Sequence, residues 1–231
     1  PVVTVDWHLH FERPRDVVLQ SGTGEPGPRL ALAVDATNPL RAFYRINGDG
    51  VGPEATAIVE ASDVGQFHVV SRGGSGAHGI DGIPGRDGAP GQPGQNASCP
   101  SNAASNGGPG GYGGPGTSGG PGGDGGPGNL VVVQLRCTTA TCGAMRSVLD
   151  STIASVGGDA GTGGYAGRGG YGGAGGRGGS SATCSSGQSS YTIPGGADGP
   201  RGADGPSGSP GPDGNPGPGG RVVIAVQLSA P

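Results

Sequence analysis

The chain has 231 residues, of which 57 are glycine and 22 proline, far above ordinary usage for a globular domain. The net charge is −4, all 13 basic residues are arginine, and no basic patch stands out, which excludes nucleic acid as a natural partner. The longest apolar runs, "NLVVVQL" and "RVVIAVQL", are too short to span a membrane.

Residues 1–64 hold the only tryptophan, Trp7, and read as a β-sandwich-like domain of about five strands. "VVTVDWHLHFE" alternates: Val3, Val5, Trp7, Leu9 and Phe11 on one side, Thr4, Asp6, His8, His10 and Glu12 on the other. Further strands are expected at "DVVLQ", "RLALAV", "RAFYRI", "ATAIVEA" and "QFHVVS", with "GTGEPGP" and "NGDGVGPE" as turns. The chain opens at Pro1 and its one methionine is Met145, which points to removal of an upstream segment such as a signal peptide.

Glycine then recurs at every third position in four blocks, 73–94, 107–128, 158–179 and 196–220, without a break in phase. A disordered linker has no reason to keep such a period. Three residues per turn is the polyproline II period, so a glycine row is a bare face on which another backbone can close. In 107–128 two rows are bare: Gly107, Gly110 and Gly113 begin one, Gly108, Gly111 and Gly114 the other. In 158–179 one row runs through Gly161, Gly164, Gly167, Gly170 and Gly173, and a second row is Gly or Ala. These two blocks are expected inside a bundle of four antiparallel segments, with 73–94 and 196–220 outside and their Pro, Asp and Arg in water. A collagen-like trimer is the rival, but the second glycine row lacks the proline that stiffens a triple helix.

The order of parts repeats. A strand, a block, a loop with Cys99, a block and "NLVVVQLR" are followed by a strand, a block, a loop with Cys184, a block and "RVVIAVQL". The expected fold is therefore mainly β plus polyproline II. The β-sandwich-like domain (1–64) is followed by a first β–PPII–PPII–β hairpin (65–136), a connector (137–150) and a second hairpin (151–231). Four cysteines allow three pairings. The internal symmetry favours Cys99–Cys184, joining the two hairpin loops, and Cys137–Cys142, closing the connector; such bonds belong to an oxidising, extracellular setting.

Through its four G-x-x blocks the chain resembles the glycine-rich polyproline II bundle proteins, the class of snow flea antifreeze protein and of some phage tail-fibre adhesin tips. The resemblance is architectural and covers residues 73–220. It implies main-chain hydrogen bonds between neighbouring segments. It does not carry function with it.

His8, His10 and Glu12 are candidate metal ligands, weighed against a solvated strand face. No cofactor is implied, and no nucleophile–base arrangement stands out. Asn96-Ala97-Ser98 matches a glycosylation sequon. Tyr165 and Tyr171 share a face suited to packing on a neighbour. Asn96, Asn102 and Tyr191 lie in the loops 95–106 and 180–194, where an adhesin would hold a cell-surface glycan or receptor. The functional expectation is a non-enzymatic extracellular structural protein whose partners are copies of itself, assembling into a filament, appendage or matrix. An adhesin acting through the two loops is the alternative, and ice binding a further one.

Overall fold

The computed structural model describes residues 16–49 and 54–229. The chain alternates between two compact units: unit 1 holds the described residues through Ala77, Gly123–Gly161 and Gly214 onward, and unit 2 holds His78–Gly122 and Thr162–Asp213.

Unit 1 contains two sheets. β1 (Val17–Gln20), β5 (Val69–Arg72) and β7 (Ile153–Val156) are all parallel, in the order β1-β5-β7. The larger sheet is built from β2 (Leu30–Ala36), β3 (Arg41–Gly48), β4 (Ala55–Glu60), β6 (Leu130–Cys137) and β10 (Arg221–Leu228), in the order β10-β6-β2-β3-β4. β2, β3 and β4 are antiparallel neighbours, whereas β2, β6 and β10 are parallel. Period two decides which side faces inward. Leu30, Leu32 and Val34 of β2, Tyr44 and Ile46 of β3, and Val131, Val133 and Leu135 of β6 are buried. Ala31, Ala33, Arg45, Gln134 and Arg136 point the other way and are exposed. Val69, Phe67, Ile153 and Leu149 complete the same core, and Tyr44 meets Phe67 edge-on at 4.9 Å between ring centres. Burial pushes the Tyr44 hydroxyl up to about 12.

The segment expected as a plain connector carries the α-helix α1 (Cys142–Thr152), whose Leu149 and Thr152 are buried. The Cys137–Cys142 disulfide ties its first residue to the end of β6. The Thr141 hydroxyl, just before the helix, donates to the Ala36 carbonyl at 2.9 Å.

Three corrections follow for the expected fold class. First, the strands of 16–64 do not form a β-sandwich-like domain of their own. β2, β3 and β4 share a sheet with β6 and β10, because the open main-chain edge of β2 pairs with β6, which continues the same apolar face. Second, the β–PPII–PPII–β hairpins are not pairing units. The opening strands pair with each other, Val69 opposite Ile153, and the closing strands pair with each other, Leu130 opposite Arg221. Third, the four-helix polyproline II bundle does not describe this fold. Among the described residues the regular elements are ten strands in three sheets, one 3-10 turn and a single α-helix, and the glycine blocks carry neither helix nor strand. Period three records which amides bond across to a neighbour; it does not of itself create a helix.

In unit 2 those amides form ladders. Gly79, Gly82, Gly85, Gly88, Gly91 and Gly94 donate their N–H groups to carbonyls of residues 162–177 at 2.7–2.8 Å. Gly108, Gly111 and Gly114 donate back to Gln92, Ala89 and Arg86, while Gly107, Gly110 and Gly113 donate to Ala197, Pro200 and Ala203. Gly164, Gly167, Gly170 and Gly173 donate to Gly120, Thr117, Gly114 and Gly111, and Gly199, Gly202 and Gly205 donate to Gly176, Gly173 and Gly170. Residues 107–122 and 164–179 are thus each bonded to three neighbouring stretches, and the other two stretches to two. Gly161 of unit 1 makes the same kind of bond, to Gly123.

The glycine rows are not equal. A Cβ at Gly107, Gly110, Gly113, Gly161, Gly164, Gly167, Gly170 or Gly173 would sit inside a neighbouring carbonyl. At Gly108, Gly111 and Gly114 it would meet its nearest atom at 3.3, 3.0 and 3.2 Å, a crowding that a small shift relieves. Thr117 already occupies that second row. Gly170→Ala is therefore expected to lower stability by about 3 kcal/mol or more, and Gly111→Ala by about 1 kcal/mol or less. Thermal unfolding of the two variants beside the parent chain checks this.

Candidate functional site

The two loops between blocks are built into one structure in unit 2. β8 (Ala182–Ser186) and β9 (Ser189–Ile193) form an antiparallel hairpin turned at Gly187, whose φ of +66° suits glycine. The Cys99–Cys184 disulfide joins this hairpin to loop 95–106. Ala97, Cys184 and Ile193 bury one another in a small apolar cluster. The Tyr191 hydroxyl donates to the Pro100 carbonyl. Asn96 Oδ1 accepts the Ser180 N–H at 2.8 Å, and Asn102 Nδ2 donates to Ser98 Oγ at 3.0 Å. Ser98 and Asn102 also exchange both main-chain bonds across the loop, at 2.9 Å.

The candidate residues Asn96, Asn102 and Tyr191 are therefore brought to one place. Each already spends a polar atom on the framework. Asn96 and Asn102 keep their chains exposed, and Tyr191 is 44 % exposed. The loops present fixed Ser, Asn and Tyr groups rather than a flexible tether.

A second set of side chains lines the ladders. Asp81 and Asp87 accept the Tyr165 and Tyr171 N–H groups at 2.8 and 2.7 Å. Asp204, Asp198 and Asp213 accept those of Gly172, Gly178 and Gly163 at 2.7, 2.7 and 2.8 Å. These carboxylates satisfy amides that the ladders leave over. Sequence reasoning treated them as a solvated face and missed this role. The signal was present: each of the five stands immediately before a block glycine. The His78 ring lies 2.7 Å from Thr162 Oγ1 and 3.2 Å from Asp81 Oδ1. The Tyr165 N–H, and after it the His78 ring, hold the Asp81 carboxyl below its ordinary 3.8. Tyr165 is 72 % exposed, and the Arg168 guanidinium stacks 4.4 Å over the Tyr171 ring.

The candidate metal ligands His8, His10 and Glu12 lie outside the described residues. Among the described residues no group of three or more His, Cys, Asp or Glu side chains could hold a metal ion, and no helix is long and apolar enough to cross a membrane. No protein family model, curated protein or solved structure is significantly similar to this chain.

Two outcomes are expected. The Cys99–Cys184 bond closes a loop of 85 residues and the Cys137–Cys142 bond one of 5. Chain entropy then assigns about 4–5 kcal/mol to the first and about 2 kcal/mol to the second. Denaturant unfolding of Cys99→Ser/Cys184→Ser and Cys137→Ser/Cys142→Ser should rank them in that order. For Asp81, a folded-state pKa below the unfolded one gives stability that is complete above about pH 4 and is lost as pH falls through the folded value. Asp81→Asn keeps an acceptor oxygen, so its melting temperature should fall less than the parent's between about pH 5 and 2.

Proposed function

We propose that the chain is a non-enzymatic extracellular structural protein, a self-assembling subunit of a surface filament, appendage or matrix. The observation that carries this reading is the main-chain ladder of unit 2. Bonds between backbone groups fix four stretches against one another at every third residue, which makes a stiff element from small residues. The Cys99–Cys184 bond ties two of its connecting loops together. Both disulfides support an oxidising compartment outside the cytosol. The exposed Tyr165, Tyr112, Ile80 and Ile83 side chains offer contacts to further copies.

A second reading, an adhesin, is favoured by the loop pair itself. Disulfide, hairpin and apolar cluster hold Ser, Asn and Tyr groups in fixed positions, which lowers the ordering cost of binding a glycan or a receptor.

Electron microscopy and sedimentation of the oxidised protein at neutral pH separate the two. Regular fibres or high-mass species without added ligand are the expected result. Discrete particles that bind cell surfaces, with binding lost in Tyr191→Ala at unchanged melting temperature, would replace the structural reading by the adhesin one.

A further inference from the structure

We infer that two copies of the chain pair through one side of unit 2, the side that carries every third residue from Ile80 to Gln92, from Pro109 to Pro121 and from Ala197 to Pro212. This rests on the self-assembly reading, specifies its first contact, and selects Ile80, Ile83 and Tyr112 over Tyr165.

Period three sorts the outward side chains of unit 2 onto two sides. Asp81 and Asp87 reach the Tyr165 and Tyr171 amides, and Asp198, Asp204 and Asp213 reach those of Gly178, Gly172 and Gly163. The rows that include these carboxylates therefore flank the 162–177 stretch. The other outward rows flank 107–122. The Thr117 hydroxyl accepts the Ile83 N–H at 2.7 Å, and the Ser118 and Asn106 side chains accept the Ser209 and Ala197 N–H groups at 3.2 and 2.8 Å. A Cβ at Gly120 would stand 3.7 Å from the Ile80 Cβ.

The two sides differ in chemistry. The first carries those five carboxylates and the guanidiniums of Arg168, Arg177 and Arg201. The second is Ile, Pro, Ala, Ser, Gln and Tyr, with Arg86 as its one charge. Every residue of its three rows is exposed, with Ile80 at 84 %, Ile83 at 69 % and Tyr112 at 81 %. A contiguous uncharged surface of this kind marks a contact. All of unit 2 lies among the described residues, and the segments outside them join unit 1.

A second copy is the occupant that fits. A partner recognised by charge would find only Arg86, whereas two uncharged sides oppose one another without repulsion. A two-fold axis crossing the side at Ile83 makes each contact reciprocal and sets Tyr112 of one copy opposite Pro121 of the other. It keeps the two Arg86 residues about 20 Å apart along the rows. The row from Ala197 to Pro212 is about 50 Å long when extended, and three rows on hydrogen-bonded neighbours are about 15 Å across. Each copy thus offers about 700 Å², close to the roughly 800 Å² per partner of a stable interface. Pro and Ala lose no rotamer freedom on burial, and the ladders already fix the main chain, so ordering costs the contact little.

The full oxidised chain would be sedimented over a dilution series beside Ile83→Asp, Tyr112→Asp and, on the charged side, Tyr165→Asp. Each variant is compared at a temperature where its circular dichroism matches the parent's. The inference predicts a monomer–dimer step whose dissociation constant rises at least about tenfold in Ile83→Asp and in Tyr112→Asp. Tyr165→Asp, at a side chain 72 % exposed, should leave it unchanged. Association indifferent to the first two variants, or weakened equally by Tyr165→Asp, would overturn this interface and leave the structural function standing. A monomer at every concentration would remove both.

Discussion

The constraint on which unit 2 depends is the close approach of backbone to backbone. An N–H of one stretch reaches a carbonyl of a neighbour at 2.7–3.0 Å, repeatedly, and along the first glycine rows the space where a Cβ would stand is taken by a carbonyl of another neighbouring stretch. At those positions only glycine fits. Once the rows are bare, the bonds recur at every third residue, and the side chains that remain are left to the outside. Hydrogen bonds of this kind are each worth only about 1 kcal/mol net, so the arrangement holds by number and by closure of its loops rather than by any single contact. Glycine also loses the most freedom on ordering, which is why a disulfide across 85 residues matters more here than in a chain with a large apolar core.

Unit 1 works on the opposite principle. Its two sheets and α1 bury Leu, Val, Ile, Tyr and Phe in an ordinary core, and its strands begin or end the glycine blocks. β5 and β7 lead into two blocks, and β6 and β10 follow the other two. The in-register parallel pairs β5–β7 and β6–β10 therefore fix the offset between the halves. Side-chain bonds record that offset: 84 residues between Asp87 and Tyr171, and 91 between Asp124 and Asn215. The second half is seven residues longer at its loop, where the β8–β9 hairpin is inserted.

Much of this was legible in the residues. Period-two alternation located the strands "RLALAV", "RAFYRI" and "NLVVVQLR", and internal symmetry paired Cys99 with Cys184 and Cys137 with Cys142. Other parts were not. One of the two sheet partners of β2, the strand β6, lies about a hundred residues away, and alternation names a buried face without naming its neighbour. The helix α1 was hidden in "CTTATCGAMRSVLD", where Thr, Cys and Gly mask an amphipathic stretch that tertiary packing and the Cys137–Cys142 bond stabilise. Treating the glycine period as a helix went too far, because the same period arises from which amides bond across. The role of the loop residues was half legible. The Cys99–Cys184 bond predicted that the loops meet, but nothing in "SSATCSSGQSSYTIP" announced that its polar groups serve the framework first.

The most direct test of this account is amide hydrogen exchange at the ladder glycines of the oxidised protein. If backbone bonds rather than a core hold unit 2, the Gly111, Gly170 and Gly173 amides should exchange only through cooperative opening, with protection close to that of buried strand amides such as Val133. Exchange of these glycines at the rate of an unprotected chain, while Val133 stays protected, would contradict it.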